Sequence, residues 1–135
     1  MNDFFAFLYE SFGYIKGFSE ELYNSGIYVT IGVLMLSISV VGMIAYYYLI
    51  NHPKFNRWLH WLFVVTMLAA INFGIAWAMS DGVVWNNHDL TIPDHYYVSY
   101  FITFAIINAL WSVLFSFAFS MIFKWKSSNC KYSPF

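Results

Sequence analysis

The chain has 135 residues, of which 61% are hydrophobic and only 10% are charged, and its formal net charge is −1. A soluble domain carries roughly 25% charged residues, so this composition excludes an ordinary water-soluble globular protein. The small net charge and the lack of a basic patch argue against nucleic-acid binding, and no nucleic-acid partner is expected. A single cysteine, Cys130, excludes an intrachain disulfide.

The charged side chains all lie outside three long apolar runs, Leu22–Ile50, Trp58–Ser80 and Tyr96–Phe123. A charge at the centre of a bilayer costs roughly 2.5–3.5 kcal/mol on insertion scales, and about 20 apolar residues suffice to cross the hydrocarbon core. The pattern predicts an all-α integral membrane protein with three transmembrane helices, preceded by a short N-terminal interfacial helix.

In chain order the prediction has six parts. Ser19 is expected to cap the first long helix, which continues through Gly26, and Asp81-Gly82 is expected to form a turn after the second. The N-terminal part is expected either to rest at the outer headgroup boundary or to pack on the protein's own outer loop. The predicted segments are an outer amphipathic segment 1–18, transmembrane helix 19–51, a cytoplasmic turn with transmembrane helix 52–80, an outer loop 81–92, transmembrane helix 93–126 and a cytoplasmic tail 127–135.

Basic residues are distributed unequally between the two sides of the predicted membrane. The loop and tail on one side hold Lys54, Arg57, Lys124, Lys126 and Lys131, whereas the other side holds only Lys16. The positive-inside rule therefore predicts an N-terminus outside and a C-terminus in the cytoplasm. The bacterial inner membrane is the expected location, because short uncleaved multi-pass chains are common there.

Small residues recur every fourth position in the second span, at Thr66, Ala70, Gly74 and Ala78. This spacing lets helix backbones approach closely, so it predicts helix packing, either within the bundle or between protomers. The first span has a comparable seam with alternating three- and four-residue spacing, which predicts a packing face. Its members are Gly32, Met35, Ser39, Gly42 and Tyr46.

Polar residues recur at the same four-residue spacing in the third span, at Asn108, Ser112, Ser116 and Ser120. They are predicted either to line a water-filled pore or to pack closely with hydroxyls bonded to their own helix. A lone amide in lipid is costly, so Asn72 and Asn108 are expected to find interhelical partners at similar depth.

Weak alternatives involve the histidines. His52 and His60 would serve a haem-binding redox subunit only if they faced each other at one depth. An outer metal could be held by His88, Asp89, Asp94 and His95, although they match no defined ligand spacing. Neither pattern is specific, so no cofactor and no metal site is expected.

The spans contain no Asp, Glu, Lys or Arg, and the chain has neither a phosphate-binding glycine loop nor a nucleophile–base pair. An enzyme is therefore not expected. The composition favours a non-catalytic anchor or scaffold subunit of a larger envelope complex, such as a secretion or other multi-subunit machine. Its expected partners are the lipid bilayer and other membrane subunits or identical copies. The alternative is a homo-oligomeric ion channel or pore-forming effector lined by the third span.

Overall fold

The computed structural model describes residues 1–50, 52, 54, 57–86 and 94–127, without the side chains of 85, 86 and 94–97. These residues form five α-helices and contain no strand, which confirms the predicted all-α fold. A π-helical segment, Ala45–Ile50, continues the third helix, and a 3-10 turn, Lys124–Lys126, follows the fifth. The helices are α1 (Asn2–Glu10), α2 (Phe18–Asn24), α3 (Ile27–Ile44), α4 (Trp58–Asn86) and α5 (Asp94–Phe123).

Three segments are long and apolar enough to cross a membrane, namely Ile27–Ile50, Trp58–Val84 and Val98–Lys126. They pack on one another pairwise, and the protein is a multi-pass membrane protein. The end of the bundle where α3 begins is called the N-terminal face below, and the end where α5 finishes is called the C-terminal face.

The first span does not continue back to residue 19 as predicted. Gly26 has a φ of 70°, in the left-handed region, and this turn separates α2 from α3. Ser19 lies inside α2 rather than at its cap, where Gly17 is found with a φ of 86°. The Ser19 hydroxyl instead accepts a hydrogen bond from the Ile15 amide at 3.1 Å. The two glycines are decisive because they adopt this conformation without steric penalty.

The second long helix runs further than predicted. Residues 81–86, expected in the outer loop, belong to α4. Gly82 weakens a helix by only about 1 kcal/mol, and burial of Ser80 and Val84 against the bundle outweighs that loss. The remainder of the predicted loop, 87–92, and the predicted tail beyond Ser127 lie outside the described residues.

The N-terminal segment packs on the spanning helices. Helix α1 buries Phe5, Ala6, Leu8 and Tyr9, and among the described residues it contacts α2, α3 and α5. Its other side exposes large apolar rings, with Phe7 71% exposed.

Candidate functional site

Five buried polar side chains from four helices meet in the bundle interior. Tyr9 comes from α1, Ser39 from α3, Asn72 from α4, and Asn108 and Ser112 from α5. Each of the five is at most 2% exposed. We call this group the polar cluster.

Hydrogen bonds connect the polar cluster into one chain. The Tyr9 hydroxyl donates to Asn108 Oδ1 at 2.8 Å, and Asn108 Nδ2 donates to the backbone oxygen of Asn72 at 2.9 Å. Asn72 Nδ2 donates to Ser112 Oγ at 2.8 Å and to the backbone oxygen of Leu68 at 3.0 Å. Ser112 Oγ lies 3.3 Å from Ser39 Oγ. The bonds therefore tie together all three spans and α1.

The polar cluster lies near the middle of the spans. Asn108 is ten residues from Val98, where its span begins, and ten residues of helix rise roughly 15 Å. That is half of a hydrocarbon core of about 30 Å. Asn72 lies equally near the centre of Trp58–Val84. The two asparagines thus meet at one depth, as the sequence predicted, and satisfy groups that lipid cannot satisfy.

The members of the α5 polar row that lie nearer the C-terminal face are also inside the protomer. Ser112, Ser116 and Ser120 are fully buried. Ser120 Oγ accepts a hydrogen bond from the Trp61 indole at 2.7 Å and lies 2.9 Å from the Ser116 backbone oxygen. A pore lined by α5 would require these side chains to leave the bundle interior.

Two buried polar atoms of this region have no hydrogen-bond partner among the described residues. They are Asn72 Oδ1 and Ser116 Oγ. An unpaired buried acceptor costs roughly 1–3 kcal/mol. Within the described residues the polar interior is therefore not fully satisfied.

Helix α5 also holds the C-terminal end of α1. The last carbonyls of a helix have no intrahelical donor, and in lipid this deficit is severe. The Trp111 indole donates to the Leu8 backbone oxygen at 2.9 Å. The same indole ring makes an edge contact with Phe12, with centroids 5.7 Å apart. Trp111 therefore replaces the missing helical donor and fixes the depth of the N-terminal segment.

The predicted seam of α3 faces other helices. A Cβ at Gly32 would overlap the Phe5 ring, and a Cβ at Gly42 would overlap the end of the Leu68 side chain. Met35, Ser39 and Tyr46 of the same seam are buried. The structure therefore uses this seam inside the protomer, for α1 at one end and α4 at the other.

The predicted small-residue row of α4 points the opposite way. Thr66, Ala70 and Ala78 are exposed, Gly74 is half-buried, and a Cβ at Gly74 would meet nothing within 4 Å. Gly74 follows the buried Asn72 by two residues, or roughly 200° around the helix. This outward surface of α4, which includes Phe63 at 70% exposure, is called the α4 outer face below.

Sequence reasoning missed Tyr9, Trp61 and Trp111 as partners of the polar row. All three have an apolar ring and one hydrogen-bonding group, so the sequence alone does not distinguish them from the other aromatic residues that pack in the bundle. The α5 polar row itself indicates that such partners are needed. Asn108 and the serines require hydrogen-bond donors and acceptors that aliphatic neighbours do not supply.

The histidine alternatives gain no support. Among the described residues, no group of three His, Cys, Asp or Glu could hold a metal ion. The His52 ring accepts a hydrogen bond from the Lys54 amide at 3.2 Å. His88 and Asp89 lie outside the described residues, as do the side chains of Asp94 and His95.

At the N-terminal face, tyrosines bind carboxylates. The Tyr23 hydroxyl donates to Asp3, and the Tyr14 hydroxyl donates to Glu20 at 3.1 Å. Both hydrogen bonds raise the pKa of the tyrosine above its usual value. The Tyr23 contact also joins α1 to α2, together with a bond from Asn2 Nδ2 to the Tyr23 backbone oxygen at 2.9 Å.

No protein-family profile, curated protein or solved structure matches the chain.

Proposed function

We propose that the protein is a non-catalytic membrane anchor or scaffold subunit that assembles, through the α4 outer face, with identical copies or other membrane subunits of a larger envelope complex. In this proposal the membrane is the bacterial inner membrane, the N-terminus is outside and the C-terminus is cytoplasmic, as the distribution of Lys and Arg suggests.

The observation that carries the proposal is the unused small-residue row of α4. Helices in lipid associate by close packing at small residues rather than by a hydrophobic drive. Among the described residues Ala70 and Gly74 have no such neighbour, although the comparable glycines of α3 both have one.

The buried fraction of the residues also distinguishes α4 from the other two spans. In the most apolar stretch of α4 only 22% of the residues are buried, against 39% in each of the other two spans. The α4 helix thus has the largest share of surface available to a partner helix. Exposed rings such as Phe63 and Trp77 flank the small residues on that surface.

The interior position of the α5 polar row favours a scaffold over a conducting pore. Asn108, Ser112, Ser116 and Ser120 have no exposed surface. A channel formed by copies of this protomer would present α4 residues or aliphatic α5 residues to the pore, and neither set is suited to hydrate an ion.

The test is purification from native membranes in a mild detergent, followed by native mass spectrometry. The wild-type chain should appear in defined assemblies with stoichiometric partners or copies. Ala70→Leu should reduce that assembled fraction by about tenfold, because a loss of about 1.4 kcal/mol at a packed interface has this effect.

The matched control is Ala118→Leu, the same change at an exposed position of α5. It should leave the assembled fraction unchanged. A wild-type chain recovered only as a monomer without partners would contradict the proposal. So would ion leakage from liposomes that contain this chain alone, which would favour the channel alternative.

A further inference from the structure

We propose that the N-terminal face carries a site for one phospholipid with a primary-amine headgroup, formed by the N-terminal segment and α5. One acyl chain would occupy an apolar groove beside Trp111, the phosphate would pair with Lys16, and the ammonium group would enter the adjacent acidic cleft.

The groove is concave and wholly apolar. It has a cavity volume of about 220 Å³, and its lining consists of Phe12, Ile107, Leu110, Trp111, Val113 and Leu114. A helix is roughly 10–12 Å across with its side chains, so it cannot enter a space of this size, whereas a linear hydrocarbon chain can. Leu110 and Leu114 are 57% and 54% exposed, so the groove opens to the lipid side of the bundle.

The wall of the groove is preformed. Trp111 is held by its hydrogen bond to the Leu8 backbone oxygen, and Phe12 packs against its ring edge. Gly13, the next residue, lies against Ile107 and Thr103. The N-terminal segment therefore rises along α5 from the groove toward the N-terminal face, beside the path that an acyl chain would take.

The depth of the groove suits the end of an acyl chain. Phe18 contacts Tyr100, and the groove residues of α5 lie seven to fourteen positions further along. At 1.5 Å per residue this is roughly 10–21 Å below that level. Half of the hydrocarbon core is roughly 15 Å, so the groove begins within one leaflet and extends past the midplane. It would receive the end of an acyl chain whose headgroup lies at the level of the residues that connect Phe12 to α2.

Lys16 occupies that connection. It is exposed, it is the only Lys or Arg of residues 1–53, and it forms no ion pair with a described residue. A basic side chain near a bilayer surface attracts lipid phosphate. A phosphate at Lys16 would therefore form the ion pair that Lys16 does not form with a described residue.

The headgroup preference follows from the neighbouring charges. Gly17, which follows Lys16, lines an open polar cleft together with Glu20, Glu21, Asn24 and Ser25. Residues 1–26 carry four carboxylates against one lysine. A headgroup with net negative charge would be repelled there, whereas a primary ammonium can donate three hydrogen bonds to carboxylate and amide oxygens.

The experiment is native mass spectrometry of the full chain in mild detergent, titrated with phosphatidylethanolamine, phosphatidylcholine, phosphatidylglycerol or diacylglycerol. The wild type should retain one phosphatidylethanolamine and bind the other three more weakly. Lys16→Gln should weaken phosphatidylethanolamine binding by about fivefold, which is typical of one basic residue at a membrane surface. Val113→Phe should also weaken it, because the larger ring would fill part of the groove. The controls Lys54→Gln and Val33→Phe, at exposed positions outside the site, should leave it unchanged.

Equal binding of all four lipids, or equal binding by the wild type and Lys16→Gln, would reduce the site to ordinary boundary lipid and overturn the proposal. Lys16→Gln changes only an exposed side chain, so the test stands even if Val113→Phe folds poorly. A photoreactive residue at position 113 that captures a protein instead of lipid would also overturn it. None of these outcomes depends on assembly through the α4 outer face.

Discussion

Two rows of residues have the same four-residue spacing in neighbouring helices but lie in opposite environments. The α5 row, from Asn108 to Ser120, is fully inside the protomer, whereas the α4 row, from Thr66 to Ala78, lies on its surface. The spacing alone therefore does not decide which face of a helix turns inward. Hydrogen-bonding capacity does, because lipid cannot satisfy an amide or a row of hydroxyls, while Ala and Gly fit either environment.

Substitution by leucine in each row should give the largest difference in the free energy of unfolding. Ser112→Leu places a larger side chain in a packed interior and removes the partner of Asn72, so it should lower the free energy of unfolding by about 2–4 kcal/mol. Ala70→Leu changes an exposed position and should alter it by less than about 0.5 kcal/mol. Reversible unfolding in bicelles measures both. Equal losses would show that the two rows have similar environments.

Replacing a glycine by alanine should change the free energy of unfolding in opposite directions in α3 and α4. Gly32→Ala should destabilise the protein by about 1–3 kcal/mol, because its new methyl group overlaps the Phe5 ring. Gly74→Ala has open space and should stabilise α4 by up to about 1 kcal/mol. The same unfolding assay applies, and a stabilising effect of Gly32→Ala would contradict the close contact between α1 and α3.

Tyr9 tests whether the N-terminal segment belongs to the polar interior. Tyr9→Phe removes the hydroxyl that donates to Asn108 and should lower the free energy of unfolding by about 1 kcal/mol. In an Asn108→Leu background the same change should have little further effect, since its partner is absent. Additive losses in this double-mutant cycle would mean that Tyr9 and Asn108 do not interact.

Much of this architecture can be predicted from sequence. The three spans follow from the segregation of thirteen charged residues, and the meeting of Asn72 with Asn108 follows from their similar depth and the cost of an unpaired amide. The break at Gly26 was missed because an isolated glycine inside a helical pattern can be tolerated.

The packing of the N-terminal segment on the spanning helices is not encoded in the local sequence. Asp3 and Glu10 give residues 1–18 an amphipathic pattern, and Asp3 is bound by Tyr23 at the N-terminal face. The close contact of Phe5 with Gly32 joins positions 27 residues apart, and no local periodicity encodes such a pair. Assignment of Trp111 as the cap of α1 likewise requires the tertiary structure.

The smallest expected effect concerns pH at the N-terminal face. The hydrogen bond to Asp3 and the negative charge of that residue raise the pKa of Tyr23, and the Glu20 contact does the same for Tyr14. A pKa raised above the unfolded value of about 10 gives a contribution that is present below that pH and is lost as pH rises through the folded pKa. Limited proteolysis of the N-terminal segment should therefore accelerate slightly above pH 10.

Both tyrosines are exposed, so the change should be small. The double substitution Tyr14→Phe/Tyr23→Phe should remove this pH dependence. A wild-type segment that becomes more protected above pH 10 would contradict the assignment of these contacts.

The most direct test of the interior position of the α5 row is the accessibility of residue 112 to water. Ser112→Cys should be prepared in a chain whose native cysteine is removed by Cys130→Ser, and treated in intact membranes with a water-soluble, membrane-impermeant thiol reagent added to each side in turn. No modification is expected from either side, because residue 112 is fully buried. Rapid modification would place residue 112 in an aqueous path and contradict the arrangement described here.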